Sequence, residues 1–115
     1  MTKTKLDLIN GTLEILILQT LLKAGKMHGY GIARHIEYVS GNLVMLNQGT
    51  MHAALVRLHK RSYIGVEDGI SDNGRRAKFY AITRAGRTQL ASDLTQWSRI
   101  SAIIGYMTIS PTAHC

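Results

Sequence analysis

Between Arg61 and Thr83 the chain drops the helical period that governs it on both sides. The segment IGVEDGISDNGRRAKFYAIT breaks into short β-prone pieces around Asn73-Gly74, a dipeptide suited to tight hairpins because both positions tolerate left-handed backbone. Ile64 to Glu67 and Ala77 to Ile82 are expected to pair, with Asp68 to Arg76 as the loop and Arg75 and Arg76 opening the returning strand. The fold class that follows is mainly α with one small β-hairpin. Such a hairpin makes a basic wing, although a solvated hairpin with ordinary surface arginines satisfies the same residues.

The flanking helices are read from their apolar spacing. Asn10 or Thr12 starts a first helix through LEILILQTLLKA, stopped at Gly25. Leu13, Leu16, Ile17, Leu21 and Ala24 form one stripe and Ile15, Leu18 and Leu22 another, so this helix requires cover on two sides, from its own domain and from a second chain. A second helix within GKMHGYGIARHIEYVSG turns Tyr30, Ala33, Ile36 and Val39 or Ser40 to one side and ends at Gly41. After a connection at Asn42 to Leu46, Asn47 caps a third helix that runs to Arg61 and buries Met51, Ala54, Leu55 and Leu58.

At about 100° per residue the outward side of this third helix carries Gly49, Ala53, Val56 and Lys60, with His52 and Arg57 on its edges. Small residues between polar and basic ones let a helix enter a DNA major groove, about 12 Å wide, while long cations at the rim reach phosphate. Two helices and a connecting turn suggest a helix-turn-helix; a short core helix fits the same apolar stripe.

Thr83 caps a last helix of roughly 24 residues, about 36 Å long, in which Leu90, Leu94, Trp97, Ile100 or Ser101, Ile104 and Met107 recur near a heptad spacing. Three helices and a hairpin already supply the core, so this stripe is expected to meet a second copy. The expected organisation is therefore a flexible arm at residues 1–10, a winged helix-turn-helix at 11–83, a C-terminal dimerisation helix at 84–109 and a disordered tail at 110–115.

Charge bears on the partner. Fourteen Lys and Arg against seven Asp and Glu give a formal charge of +7, which suits a polyanion such as nucleic acid or an acidic membrane surface. The cations cluster at Arg57, Lys60 and Arg61, at Arg75, Arg76 and Lys78, and at Arg84 and Arg87. The single cysteine, Cys115, excludes an intrachain disulfide and a zinc thiolate cluster, and fits a reducing cytoplasm. The most apolar run, Leu13 to Leu22, is interrupted by Glu14, Gln19 and Thr20, so neither a membrane span nor a secretory signal is expected.

An enzyme is not expected, nor a metal or other cofactor. His28 and His35, like His52 and His59, share a helix face at about 10.5 Å of rise, too far apart for one metal ion. No phosphate-binding loop, paired acid, or nucleophile with a base occurs.

In this order of elements the chain resembles the PadR family of winged helix-turn-helix regulators, in its small form with one helix after the wing. The resemblance runs from about Gly11 to Met107 and is carried by GTLEILIL, HGYGIARHI, LNQGTMHAALVRLHKRSYI, NGRRAKFYAITRAGRTQL and Trp97. It implies a homodimer that represses transcription from an inverted-repeat operator and is released in many cases by a small effector. Two departures stand out. GTMHAAL replaces the usual GTLYPAL, so His52 stands for a tyrosine that contacts phosphate or a base edge in many members, and Ala53 for a proline. A histidine donor there implies operator affinity that rises as pH falls. SYIGVEDG replaces an RGLI-type passage from Ser62 and alters the entry to the wing.

The expected contacts to double-stranded DNA are Asn47, Gln48, Thr50 and His52 at base edges or nearby phosphates, and Arg57 and Lys60 at the backbone. Arg75, Arg76 and Lys78 serve the wing. Leu90, Leu94, Trp97, Ile100 and Ile104 are the expected dimer and effector surface, where Trp97 either packs or lines a cavity for a flat aromatic molecule. A sequence-indifferent DNA-coating protein is the alternative function that the charge allows.

Overall fold

The first helix, α1 (Thr12–Ala24), starts after Gly11, whose φ of 88° is left-handed, and stops at Gly25 with φ 86°. Its buried face is Leu13, Ile17, Leu18, Thr20 and Leu21, and Ile15 and Leu16 pack partly against the core. Leu22 is exposed, so the second expected stripe is only partly covered. The computed structural model describes residues 11–109. The expected arm at 1–10 and tail at 110–115 lie outside the described residues.

A two-residue strand, β1 (Met27–His28), follows, and then α2 (Gly29–Val39). His28 caps α2 through its ring: Nδ1 accepts the Gly31 amide at 2.9 Å. The inward residues of α2 are Ile32, Ala33 and Ile36. Tyr30, expected on that side, is exposed instead, and of the alternatives Val39 and Ser40 the first is exposed and the second half-buried. The helix begins at Gly29, and its inward stripe is centred on Ile32, which turns Tyr30 and Val39 toward solvent.

The connection to the third helix is pinned by polar contacts. Ser40 Oγ donates to the Glu37 carbonyl and accepts the Val44 amide, while a Glu37 carboxylate oxygen accepts the Leu46 amide at 3.1 Å. Val44 is buried between these anchors, which fixes the angle at which α3 (Gln48–Lys60) leaves α2.

The hairpin is longer and its turn tighter than expected. Strands β2 (Ile64–Ile70) and β3 (Arg76–Ile82) pair antiparallel from Ile64↔Ile82 to Ile70↔Arg76. The expected loop shrinks to residues 71–75, where Ser71 and Arg75 close the turn through a backbone bond of 2.8 Å and Gly74 takes φ 79°. Strand β1 adds to the far edge of β3, with Met27 opposite Tyr80, giving a three-stranded sheet in the order β1-β3-β2. Two residues carry no readable strand period, so β1 has no signal in the sequence.

The last helix, α4 (Arg84–Ile109), spans 26 residues, about 39 Å at 1.5 Å per residue. Thr83 caps it by accepting the Gly86 amide at 3.0 Å and, through its hydroxyl, donates to the Ser62 carbonyl at 2.6 Å. One core unites the elements: Ile17, Leu18, Leu21, Ile32, Leu58, Ile64 and Leu90 are nearly inaccessible to solvent. Leu90 therefore belongs to the core of its own chain and not to a surface offered to another, and Leu94 packs partly against the same core.

Candidate nucleic-acid interface

Helix α3 is built to show one face. Met51, Ala54, Leu55 and Leu58 are buried, the four residues that the apolar spacing selects. Gly49, His52, Ala53, Val56 and Lys60 are exposed on the opposite side. Asn47 Oδ1 accepts the Thr50 amide at 2.8 Å, satisfying one of the amides left free at a helix start. That oxygen is thereby committed to the cap. Gln48 and Thr50 in the first turn are exposed, and Arg57, His59 and Lys60 fill the last turn, where positive charge suits the helix C-terminus.

The cations divide by whether they hold an internal partner. Arg57 Nε donates to a Glu14 carboxylate oxygen of α1 at 2.7 Å, so one expected phosphate contact is occupied within the chain. Lys78 reaches Asp68 across the hairpin at 3.3 Å, a loose pair with both side chains largely exposed. Lys26 ties β1's approach to Glu67 of β2 at 2.7 Å, which braces the hairpin against the start of α2. Lys60, Arg61, Arg75 and Arg76 form no salt bridge among the described residues and are exposed. A seven-residue strand at about 3.3 Å per residue places Ile70, beside Arg76, roughly 20 Å from the buried anchor Ile64. The wing cations therefore stand well clear of the core.

A second surface lies between α1 and α4, where a groove of about 650 Å³ is lined by Ile15, Leu18, Trp97, Ile100 and Ile104, with polar Glu14 and Asp93 at its wall. Of the residues expected on the dimer and effector surface, Trp97, Ile100 and Ile104 are exposed and lie along this groove. Leu90 does not join them. The sequence reading missed Glu14 and Tyr63 in this region, because both depend on contacts between segments far apart in the chain. Among the described residues no three His, Cys, Asp or Glu side chains gather as a metal site, and no helix is long and apolar enough to cross a membrane.

A helix, a pinned turn, a second helix with its outer face bare, and then a hairpin whose Arg75 and Arg76 form no salt bridge among the described residues define a winged helix-turn-helix protein of the DNA-binding class. The particular family is shown by comparison: residues 17–92 match the transcriptional regulator PadR-like family, and the chain belongs to it as a PadR-family transcriptional regulator. It is 32% identical over 99 residues to an uncharacterised protein of Lysinibacillus sphaericus, covering 85% of this chain and 89% of that one. A PadR family transcription regulator from Clostridium difficile R20291 is similar in structure, with a TM-score of 0.73 and 28% identity over 85% of this chain and 99% of the other. Bacillus subtilis PadR, solved in complex with operator DNA, shares the fold at a TM-score of 0.61 and 24% identity, over 71% of this chain and 47% of its own.

Proposed function

We propose that this protein is a homodimeric repressor that binds an inverted-repeat operator and is released by a small apolar or aromatic effector. The observation that carries the reading is the bare outer face of α3, where Gly49, Ala53 and Val56 admit close approach and Lys60 stands free of any salt bridge among the described residues. Residues 11–83 act as the DNA-binding unit and 84–109 as the dimerisation helix. Gln48, Thr50 and His52 face base edges or adjacent phosphates, Lys60 the backbone, and Arg75 and Arg76 a phosphate or the neighbouring minor groove. The operator complex of Bacillus subtilis PadR supports the same use of the fold. Its target places the protein's action on the nucleoid in the cytoplasm.

Dimerisation is supported by the outer half of α4, where Ile103, Ile104, Tyr106, Met107 and Ile109 are exposed together. Two copies of α3 then enter successive major grooves at about 34 Å, one turn of duplex. The groove at Trp97 has a volume within the range of about 300–1,000 Å³ that small-molecule sites occupy. A flat apolar molecule there would touch α1 and α4 at once and shift their packing beneath α3.

Selection of bound duplexes from random DNA tests the reading. A palindromic consensus with half-sites one turn apart is expected, and Trp97 fluorescence is expected to be quenched by a ligand that also releases the operator. A flat selection profile would establish sequence-indifferent coating instead, and a regulator without effector control would show no quenching across a broad aromatic panel.

A further inference from the structure

Arg57 and Glu14 are 43 positions apart in sequence and 2.7 Å apart in space, an ion pair that joins α3 to α1. The two sides of the pair differ. Glu14 sits in the first turn of α1, where a helix N-terminus favours a carboxylate, and its side chain is only 14% exposed. Arg57 is 48% exposed on the rim of the outward face of α3, and only its Nε is engaged, so its terminal nitrogens have no hydrogen-bond partner among the described residues. Glu14 is fixed; Arg57 is long and able to swing.

We propose that Arg57 is partitioned between Glu14 and a DNA phosphate, and that Glu14, by holding it, sets the strength and the salt dependence of DNA binding. This rests on the DNA-binding reading given above. The physical reason is a near balance. A phosphate attracts the guanidinium at least as well as a carboxylate does. Turning Arg57 away, however, strands a largely buried carboxylate without its countercharge, which is costly. The carboxylate thus withholds one cation from the duplex and adds one negative charge near it. Lys60 on the same helix is exposed and forms no salt bridge among the described residues.

Replacing Glu14 by Gln keeps the shape and removes the charge, so nothing opposes the swing. Fluorescence anisotropy with a mixed-sequence duplex, titrated between about 50 and 200 mM salt, reads the number of phosphate contacts from the slope of log K against log salt. Glu14→Gln is expected to bind on the order of two- to fivefold more tightly and to steepen the slope by about half a unit, because Arg57 already spends part of its time on phosphate. Arg57→Ala is expected to weaken binding by about twofold and to flatten the slope by less than one unit, and the double variant to lose most of the gain of Glu14→Gln. Glu14→Ala is expected to steepen the slope as Gln does, so the result does not depend on one variant folding well. A slope unchanged in Glu14→Gln, or weakened binding in both single variants, overturns the partition. Arg76→Ala serves as the reference: if it flattens the slope while Glu14→Gln leaves it alone, only the partition falls, and if the wild type binds no duplex, the DNA-binding reading falls with it.

Discussion

Gly86 shows how little room some positions leave. It is buried in the first turns of α4, and an added Cβ would lie 2.1 Å from the Tyr63 carbonyl oxygen and 2.9 Å from an Ile82 side-chain carbon. A backbone oxygen cannot step aside, so Gly86→Ala is expected to cost about 3 kcal/mol or more in urea unfolding. Gly65→Ala, where nothing lies within 4 Å, is the matched control and is expected to be nearly neutral. Asn47 offers a different separation. Asn47→Ala removes the cap of α3 and should lower stability by about 1 kcal/mol. Asn47→Asp keeps a capping oxygen and should retain the melting temperature, yet the added negative charge at the helix start should weaken DNA binding in anisotropy.

The elements divide the same labour on a larger scale. Helix α3 carries two faces that differ in what they tolerate. Val56→Glu on the outer face is expected to leave the unfolding transition in place and to abolish duplex binding, because on the proposed DNA-facing side the carboxylate would meet phosphate. Ala54→Glu, at a position with 0% exposure, is expected to prevent folding because it buries a charge without a partner. The wing behaves as a lever. Its base is fixed by Ile64 in the core, by β1 along its far edge and by the Lys26–Glu67 pair, while its tip is exposed. Arg75→Ala and Arg76→Ala should each weaken binding to every sequence alike and lower the salt slope by about one unit, the mark of a phosphate contact. A loss confined to one sequence would instead assign the wing to base readout.

For the molecule as a whole, shape is the informative quantity. A radius of gyration of 16.7 Å exceeds the roughly 13 Å expected of a compact chain this long, and the principal extents are 61 × 39 × 21 Å. The excess comes from α4, which contributes Leu90 to the core and then runs on with apolar side chains exposed. A chain that leaves Ile104, Met107 and Ile109 bare in water is poorly matched to a monomer. Ile104→Glu with Met107→Glu is expected to leave the winged domain folded and to sediment as a monomer, whereas the wild type is expected to sediment as a dimer. The same variant should lose most of its preference for paired half-sites over a single one, since the linkage between the two α3 helices is gone. Wild-type protein that sediments only as a monomer would remove the basis for a palindromic operator.

Local periodicity and turn chemistry alone determined much of this protein. The buried stripe of α3, the caps at Asn47 and Thr83, the stop at Gly25 and the hairpin at Asn73-Gly74 are each encoded within a few neighbouring residues, where spacing and backbone preference act directly. Tertiary structure decided what depends on distant segments. It set Tyr30 and Val39 outward by fixing the rotation of α2, and recruited Met27 and His28 into the sheet because an open edge of β3 was available. It drew Leu90 into the core, and gave Arg57 to Glu14 while leaving Lys60 and the wing arginines without salt bridges among the described residues. The reason is that a side chain's type is local, whereas its partner is chosen by packing: sequence counts the cations, and only the fold determines which of them remain free.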